Sequence, residues 1–194
     1  MNCTTKGIDA IKALEWLKEG NLAYISSNSN HKGDISKEKR LHTHHHGQNP
    51  YAIIITCSDS RVIPEAIFMQ GIGDLFVIRL AGNVLADFGL GSVEYGIEHL
   101  GCKLVLVLGH TKCGAVASAL EGEHTSYVGS IVMEIKKAIG TTKSPLLATK
   151  LNVKNTIAKI NNAILTDEMK KDGVKVVGAI YHTQSGEVEF LEEN

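Results

Sequence analysis

Two apolar runs in this chain each end abruptly in a cluster of polar, reactive side chains. Residues 51–55 lead into the segment 56–61, and residues 104–108 lead into the segment 110–113. In α/β proteins, the buried strands of a parallel sheet present functional residues at their carboxyl ends. If the two strands are neighbours, two thiols, an imidazole, a carboxylate and a guanidinium meet at one edge of a sheet. These groups belong to Cys57, Asp59, Arg61, His110 and Cys113.

The rest of the chain alternates β-rich runs with helical patterns. We expect strands at residues 51–56, 74–79, 103–109 and 174–182, and a last one at 187–191. Such alternation predicts an α/β fold with a mainly parallel sheet flanked by helices. Because Ser185-Gly186 turns the chain just before the last strand, that strand is expected to be an antiparallel edge strand near the C-terminus.

An N-terminal helical arm is predicted over residues 8–26, after a loose tail at residues 1–7. Its apolar stripe consists of Ile11, Leu14, Leu17, Leu22 and Ile25. The spacing is that of a helix, which Gly20 and Asn21 are expected to interrupt or bend. We expect the arm to pack on a partner subunit. No linker or repeat divides the chain, so residues 1–194 are predicted to form one domain.

Composition and charge exclude several function classes. The formal net charge is −1, which offers no electrostatic case for nucleic acid or an anionic membrane. The longest apolar runs are about seven residues, far short of the ~20 needed to cross a bilayer. The first residues lack the apolar core of a signal peptide, so a cytoplasmic protein is expected. In that reducing compartment, Cys3, Cys57, Cys102 and Cys113 are ligands or buried thiols rather than disulfides.

Two cysteines and one histidine form a soft, three-ligand site that suits Zn²⁺, one per chain, with the fourth position open. Asp59 then has two alternatives. It can accept a hydrogen bond from a water in the fourth position while Arg61 holds it in place. It can instead occupy the fourth position itself and close the site. Gly114, at the start of a helix, exposes a backbone N–H where a developing anion can be stabilised.

A histidine-rich tract precedes the first strand. Residues 42–46 read His-Thr-His-His-His. The tract is interpreted as a solvated loop or helix end that can bind metals adventitiously. A proton relay through His42, His44, His45 or His46 is the alternative, because imidazole titrates near ~6.5.

Five motifs carry a family resemblance. They lie at residues 57–62, 73–79, 81–83, 92–95 and 109–114, with Cys-Ser-Asp-Ser-Arg-Val and Gly-His-Thr-Lys-Cys-Gly as the first and last. Together they resemble the β-class carbonic anhydrases over roughly residues 8–191. That family interconverts CO₂ and bicarbonate with zinc. The resemblance implies a lyase whose metal-bound hydroxide is oriented by an Asp–Arg dyad.

The resemblance also implies residue roles. Cys57, His110 and Cys113 would be the zinc ligands, and Asp59 and Arg61 the catalytic dyad. The substrate pocket would use Gln48, Phe76, Ala81 and Tyr95, in part across a dimer interface of a homodimer or homotetramer.

One position separates two subgroups of the family. The allosterically inhibited members have a tryptophan three residues before the first cysteine, where this chain has Ile54. We therefore expect the plant-like, non-allosteric subtype. In that subtype Asp59 is paired with Arg61 at neutral pH and above.

Other functions compete with CO₂ hydration. A hydrolase for COS or CS₂ would use the same ligands. A non-catalytic zinc- or bicarbonate-binding module would predict a broken dyad or missing pocket residues, and both sets are present here. A nucleotide-binding α/β domain is disfavoured, because no Gly-X-Gly-X-X-Gly or Walker A motif follows the first strand.

Overall fold

The computed structural model describes residues 7–26, 33–122 and 125–192. Most of the predicted tail and Cys3 lie outside the described residues. In chain order, the described elements are α1 Ala10–Ser26, α2 Lys37–His46, β1 Ala52–Thr56, α3 Pro64–Ile67, β2 Leu75–Arg79, a 3-10 helix Ala81–Asn83, α4 Asp87–Glu98, β3 Leu104–His110, α5 Gly114–Glu121, α6 Ser126–Ile139, α7 Pro145–Ala163, α8 Asp167–Lys171, β4 Lys175–Tyr181 and β5 Val188–Phe190. None of the described helices combines the length and the apolar character needed to span a membrane.

The five strands form one sheet in the order β2-β1-β3-β4-β5. Neighbours among β2, β1, β3 and β4 are parallel, and β5 is antiparallel to β4. This confirms the predicted α/β fold with an antiparallel C-terminal edge strand. Every residue of β1 and β3 is buried, because helices cover both faces of the sheet. Such strands must be apolar along their whole length, which explains the continuous runs in the sequence.

The side chains of β1 alternate between two apolar cores. Ile54 packs in the core that includes Leu17 of α1, and Ile53 and Ile55 pack in the core that includes Val93 of α4. A third apolar cluster, built from α5, α6 and α7, surrounds Cys57 and Cys113. The two cysteines therefore lie at the end of the sheet, packed against apolar residues of these three helices.

The strand register brings the two reactive segments together. Thr56 pairs with Leu108 of β3 and with Arg79 of β2. The Thr56 hydroxyl also donates to the Leu108 carbonyl at 2.9 Å. Because parallel neighbours end at the same edge, the residues after Thr56 and the end of β3 at His110 lie side by side.

The predicted interruption of the first helix is wrong. Helix α1 runs continuously through Gly20 and Asn21. Gly20 lies against the backbone of Phe68, where a Cβ would overlap the carbonyl oxygen. The Asn21 side chain donates to the Gly186 carbonyl at 2.9 Å and accepts from the Val188 N–H at 2.9 Å. Both residues hold the helix against the domain. Gly20 has no side chain to prevent close contact with Phe68, and Asn21 hydrogen-bonds to Gly186 and Val188 of the C-terminal hairpin.

The predicted apolar stripe of α1 is divided between two sides. The buried face consists of Ala10, Ala13, Leu17, Gly20 and Asn21. Ile11, Leu22 and Ile25 are exposed. Small residues on the buried face let α1 approach the domain closely, as Gly20 does at Phe68. The packing of this helix on a partner subunit stays a prediction.

Helix α3 is a short helix that ends at Ile67, and Met69 adopts a positive φ of 53°. The histidine tract forms the end of α2, a ten-residue helix whose N-cap, Ser36, accepts a hydrogen bond from the Lys39 N–H.

Candidate metal centre

Three side chains meet where β1 and β3 end. Cys57 follows β1, His110 is the last residue of β3, and Cys113 is the N-cap residue of α5. The two sulfur atoms are 4.0 Å apart, and the three potential ligand atoms all lie within 4.8 Å of one another. All three residues are buried. Within residues 7–26, 33–122 and 125–192, this is the one group of three or more such ligands that could hold a metal ion.

The imidazole of His110 is oriented for metal binding. Its Nδ1 lies 3.0 Å from the carbonyl oxygen of Thr111. Since a carbonyl only accepts, Nδ1 carries the proton and Nε2 has the free lone pair. That Nε2 is buried and has no hydrogen-bond partner. Buried polar atoms seldom lack a partner, so the orphaned Nε2 beside two thiols fits a zinc ligand set.

The two thiols form a hydrogen-bonded pair. The pKa of Cys57 is lowered, chiefly because the Cys113 thiol donates a hydrogen bond to it. The Gly82 N–H also donates to the Cys57 sulfur, at 3.2 Å. The pKa of Cys113 is raised by its hydrogen bond to Cys57, by burial and by the charge of that neighbour. A bound dication would stabilise the second thiolate, because it supplies the opposite charge.

Asp59 and Arg61 form a two-point ion pair at the mouth of this cluster. Arg61 donates from Nε to Asp59 Oδ1 at 3.0 Å and from Nη2 to Oδ2 at 2.7 Å. Arg61 Nη2 also donates to the Lys112 carbonyl at 3.1 Å. The Arg61 guanidinium holds the pKa of the Asp59 carboxyl well below its usual range. Asp59 Oδ2 is 3.9 Å from His110 Nε2, so the carboxylate faces the cluster while it is paired.

Arg79 fixes the backbone that carries these residues. This last residue of β2 donates from Nε to the Cys57 carbonyl at 3.2 Å and from Nη2 to the Asp59 carbonyl at 2.7 Å. Beyond the strand ends, the Ser58 N–H donates to the Leu80 carbonyl at 3.2 Å. The segment that follows β1 is therefore held by the neighbouring strand rather than left as a free loop.

Helix α7 supports the cluster through two residues that the sequence analysis did not identify. The Asn152 side chain donates to the Gly82 carbonyl at 2.7 Å, and the Thr156 hydroxyl donates to the Asn83 carbonyl at 3.2 Å. Both side chains are buried. They hold the short 3-10 helix in the position where the Gly82 N–H faces the Cys57 sulfur. The signal available in the sequence was two polar residues four apart on the apolar face of a helix.

The predicted substrate residues lie in three places within one chain. Ala81 lies in the 3-10 helix beside Cys57, and Gly114 follows Cys113 with nothing within 4 Å of a Cβ built on it. Phe76 and Tyr95 contact each other, with ring centroids 6.1 Å apart. Gln48 lies in the exposed segment between α2 and β1.

Phe76 is near the amino end of its strand. It lies three residues before Arg79, which corresponds to about 10 Å of strand. Tyr95 is 45% exposed on α4. The Phe76–Tyr95 contact is thus displaced from the carboxyl edge at which the metal cluster lies.

Two further predicted positions lie apart from the cluster. Ile54 is fully buried in the middle of β1. Cys102 precedes β3, at the amino edge of the sheet, and its thiol donates to the Pro50 carbonyl at 3.2 Å. Burial raises the pKa of Cys102 to about 12. This thiol is a buried structural group rather than a fourth ligand.

The fold and the Cys-His-Cys cluster define an α/β domain with a candidate metal site. Comparisons with known proteins give its family. The family model described as carbonic anhydrase matches residues 52–188. The carbonic anhydrase of Mycolicibacterium smegmatis is 32% identical over 192 residues, covering 93% of this chain and 92% of that protein. Carbonic anhydrase 2 of Mycobacterium tuberculosis is 32% identical over 189 residues, covering 91% and 90%.

Solved structures show the same fold. A Coccomyxa β-carbonic anhydrase in complex with acetazolamide aligns with a TM-score of 0.71 at 23% identity, covering 81% of this chain and 78% of that chain. A β-carbonic anhydrase of Aspergillus fumigatus aligns with a TM-score of 0.68 at 25% identity, covering 94% and 88%. The chain belongs to the carbonic anhydrase family, and it is an enzyme of the β class.

Proposed function

We propose that this protein catalyses the reversible hydration of CO₂ to bicarbonate and a proton, with one zinc ion per chain held by Cys57, His110 and Cys113. The observation that carries the proposal is the buried, unpartnered Nε2 of His110 beside two thiols at the carboxyl edge of the sheet. The general reaction of the family supports it. We also propose that the whole chain acts as one domain.

The three ligands have separable roles. The two thiolates balance the charge of a dication, and His110 contributes a neutral nitrogen oriented by the Thr111 carbonyl. When bound, zinc supplies Lewis acidity that lowers the pKa of a water molecule and makes a nucleophile available at neutral pH.

Asp59 positions the nucleophile in this proposal. An ionised carboxylate only accepts hydrogen bonds, so Asp59 binds the O–H of the attacking group and directs its lone pair toward the carbon of CO₂. Arg61 holds both carboxylate oxygens, which keeps Asp59 from rotating into the cluster. The new C–O bond forms bicarbonate, and the proton released from water passes to buffer.

We further propose that a second copy of the chain completes the substrate pocket. Ala81 and the Gly114 N–H would come from the chain that holds the metal, and Gln48, Phe76 and Tyr95 from the partner in a homodimer or homotetramer. The exposure of Tyr95 and its displacement from the cluster support this. The β-carbonic anhydrases of Sordaria macrospora, which share the fold, are described as tetrameric.

Replacing Asp59 tests the positioning role. Asp59→Asn keeps the shape but loses the charge, so kcat should fall by about 10²- to 10⁴-fold while zinc per chain stays unchanged. Stopped-flow CO₂ hydration and metal analysis of the same sample measure both. Asp167→Asn, at a side chain that is 91% exposed, is the matched control and should leave both values as they are.

Two outcomes would change the assignment. Loss of zinc in Asp59→Asn would make Asp59 a ligand of a closed site. Faster turnover of COS than of CO₂ by the native protein would replace the proposed substrate, since both molecules would use the same residues.

A further inference from the structure

Helix α2 carries two histidines on one exposed face. His42 and His46 are four residues apart, and their ring centroids are 4.6 Å apart. Both side chains are exposed. Residues at this spacing lie one above the other on a helix, so two imidazoles can reach a single ion. His44, two residues from each, lies on the opposite side of the helix.

The helix that carries this pair is fixed at both ends. The Ser36 hydroxyl caps its start by accepting from the Lys39 N–H at 3.0 Å. Lys39 Nζ joins Asp74 Oδ1 at 3.2 Å and so anchors the helix to the segment before β2. At its end, the Gly47 N–H donates to the Thr43 carbonyl at 2.9 Å. A backbone already ordered in this way loses little entropy when the two rings bind an ion.

The charges around the pair are mixed: α2 also carries Lys37, Lys39 and Arg40, of which Lys39 is paired with Asp74. The pair lies toward the C-terminal end of α2, where the unsatisfied carbonyl groups carry partial negative charge. Glu38 lies one turn before His42 on the same face and adds a carboxylate.

We propose that His42 and His46 form a second metal site, for a divalent transition-metal ion of the Zn²⁺, Ni²⁺ or Cu²⁺ type. Neutral imidazole is a preferred ligand of these ions. Because both residues are exposed, water occupies the remaining coordination positions. The site shares no residue with the Cys57–His110–Cys113 cluster, so it stands independently of the proposed function.

Calorimetric titration of the untagged, zinc-loaded chain with Ni²⁺ tests this site. The native chain should bind one equivalent of Ni²⁺ beyond its zinc, with zinc measured before and after to exclude displacement. His42→Gln or His46→Gln should weaken the binding of Ni²⁺ by about tenfold or more, because one imidazole remains. Circular dichroism of each variant checks that the fold is retained.

His44→Gln is the matched control, because it removes an imidazole of the same helix from the other face. It should bind Ni²⁺ as the native chain does. Three results would overturn the proposal: no additional equivalent in the native chain, unchanged binding in His42→Gln with His46→Gln, or equal loss in His44→Gln. The last would mean that the tract binds metal diffusely rather than through one chelating pair.

Discussion

The metal-ligand cluster and the Phe76–Tyr95 contact are built in opposite ways. Cys57, His110 and Cys113 are buried, and each stands at the end of a strand or the start of a helix. Tyr95 is 45% exposed on the outside of α4. The first region gains its geometry from one chain. The second lies away from the cluster, in keeping with our proposal that catalysis depends on assembly while metal binding does not.

The largest effect is expected from removing a ligand. Cys113→Ser should lose bound zinc and lower CO₂ hydration by about 10³-fold or more, because Lewis acidity is lost with the metal. Metal analysis and stopped-flow rates measure this. Cys102→Ser is the control: its hydroxyl can still donate to the Pro50 carbonyl, so zinc and activity should remain. If Cys113→Ser retained its zinc, Cys113 would not be a required ligand, and the two regions would no longer differ in their effect on metal binding.

A smaller effect is expected from the second region. Tyr95→Ala should retain zinc and lower kcat/KM by about tenfold, through loss of substrate contact alone. Phe88→Ala is the control, since Phe88 is 95% exposed on the same helix. Zinc loss in Tyr95→Ala would show that this side chain supports the cluster within its own chain.

Mixed oligomers show which chain Tyr95 serves. Chains that carry Cys113→Ser and chains that carry Tyr95→Ala should, after subunit exchange, be more active than the average of the separate samples. This follows because some sites then receive an intact ligand set from one copy and an intact Tyr95 from the other. Activity equal to the average would place Tyr95 in the pocket of its own chain and remove the need for assembly.

The sequence could predict features that follow from the strand pattern, but not those that depend on tertiary contacts. Buried parallel strands must be apolar throughout and must end at a common edge, so the approach of Cys57 to His110 followed from pattern alone. Asn152 and Thr156 stand out in the sequence only as polar residues four apart on the apolar face of a helix. Their roles could not be recognised, because they depend on the tertiary positions of the Gly82 and Asn83 carbonyls. The predicted interruption of α1 at Gly20 was wrong because of another tertiary contact. Glycine weakens an isolated helix, but here it permits close packing against Phe68.

The support from α7 predicts an intermediate effect on stability. Asn152→Ala leaves the Gly82 carbonyl buried without its donor and should lower the free energy of unfolding by about 1–3 kcal/mol. Zinc affinity should fall as well, because Gly82 no longer holds its N–H toward Cys57. Urea titration and competition with a zinc chelator measure the two quantities. Asn161→Ala, at an exposed position of the same helix, should change neither.

The smallest effect is expected at the ion pair between α6 and α7. Lys159 Nζ lies 3.1 Å from Glu134 Oε1 and donates to the Leu85 carbonyl at 2.8 Å. Hydrogen bonding from Lys159 lowers the pKa of Glu134. Because the folded-state pKa is depressed, this stabilisation is present above the ordinary carboxyl pKa and is lost as the pH falls through the folded value.

Glu134→Gln should therefore cost about 0.5–1 kcal/mol at pH 7, as for a partly exposed pair. Urea titrations from pH 7 downward compare it with the native chain, and the difference should shrink below about pH 4. A difference that is constant over this range would assign the effect to packing rather than charge.

Stopped-flow CO₂ hydration with zinc quantified per chain tests the central claim most directly. Activity should be proportional to zinc up to one equivalent, vanish with a strong chelator and return when zinc is added. It should rise between about pH 6 and 9, because the nucleophile must lose a proton. A chain that holds one zinc per copy but does not hydrate CO₂, or one that is equally active after zinc removal, would contradict the account.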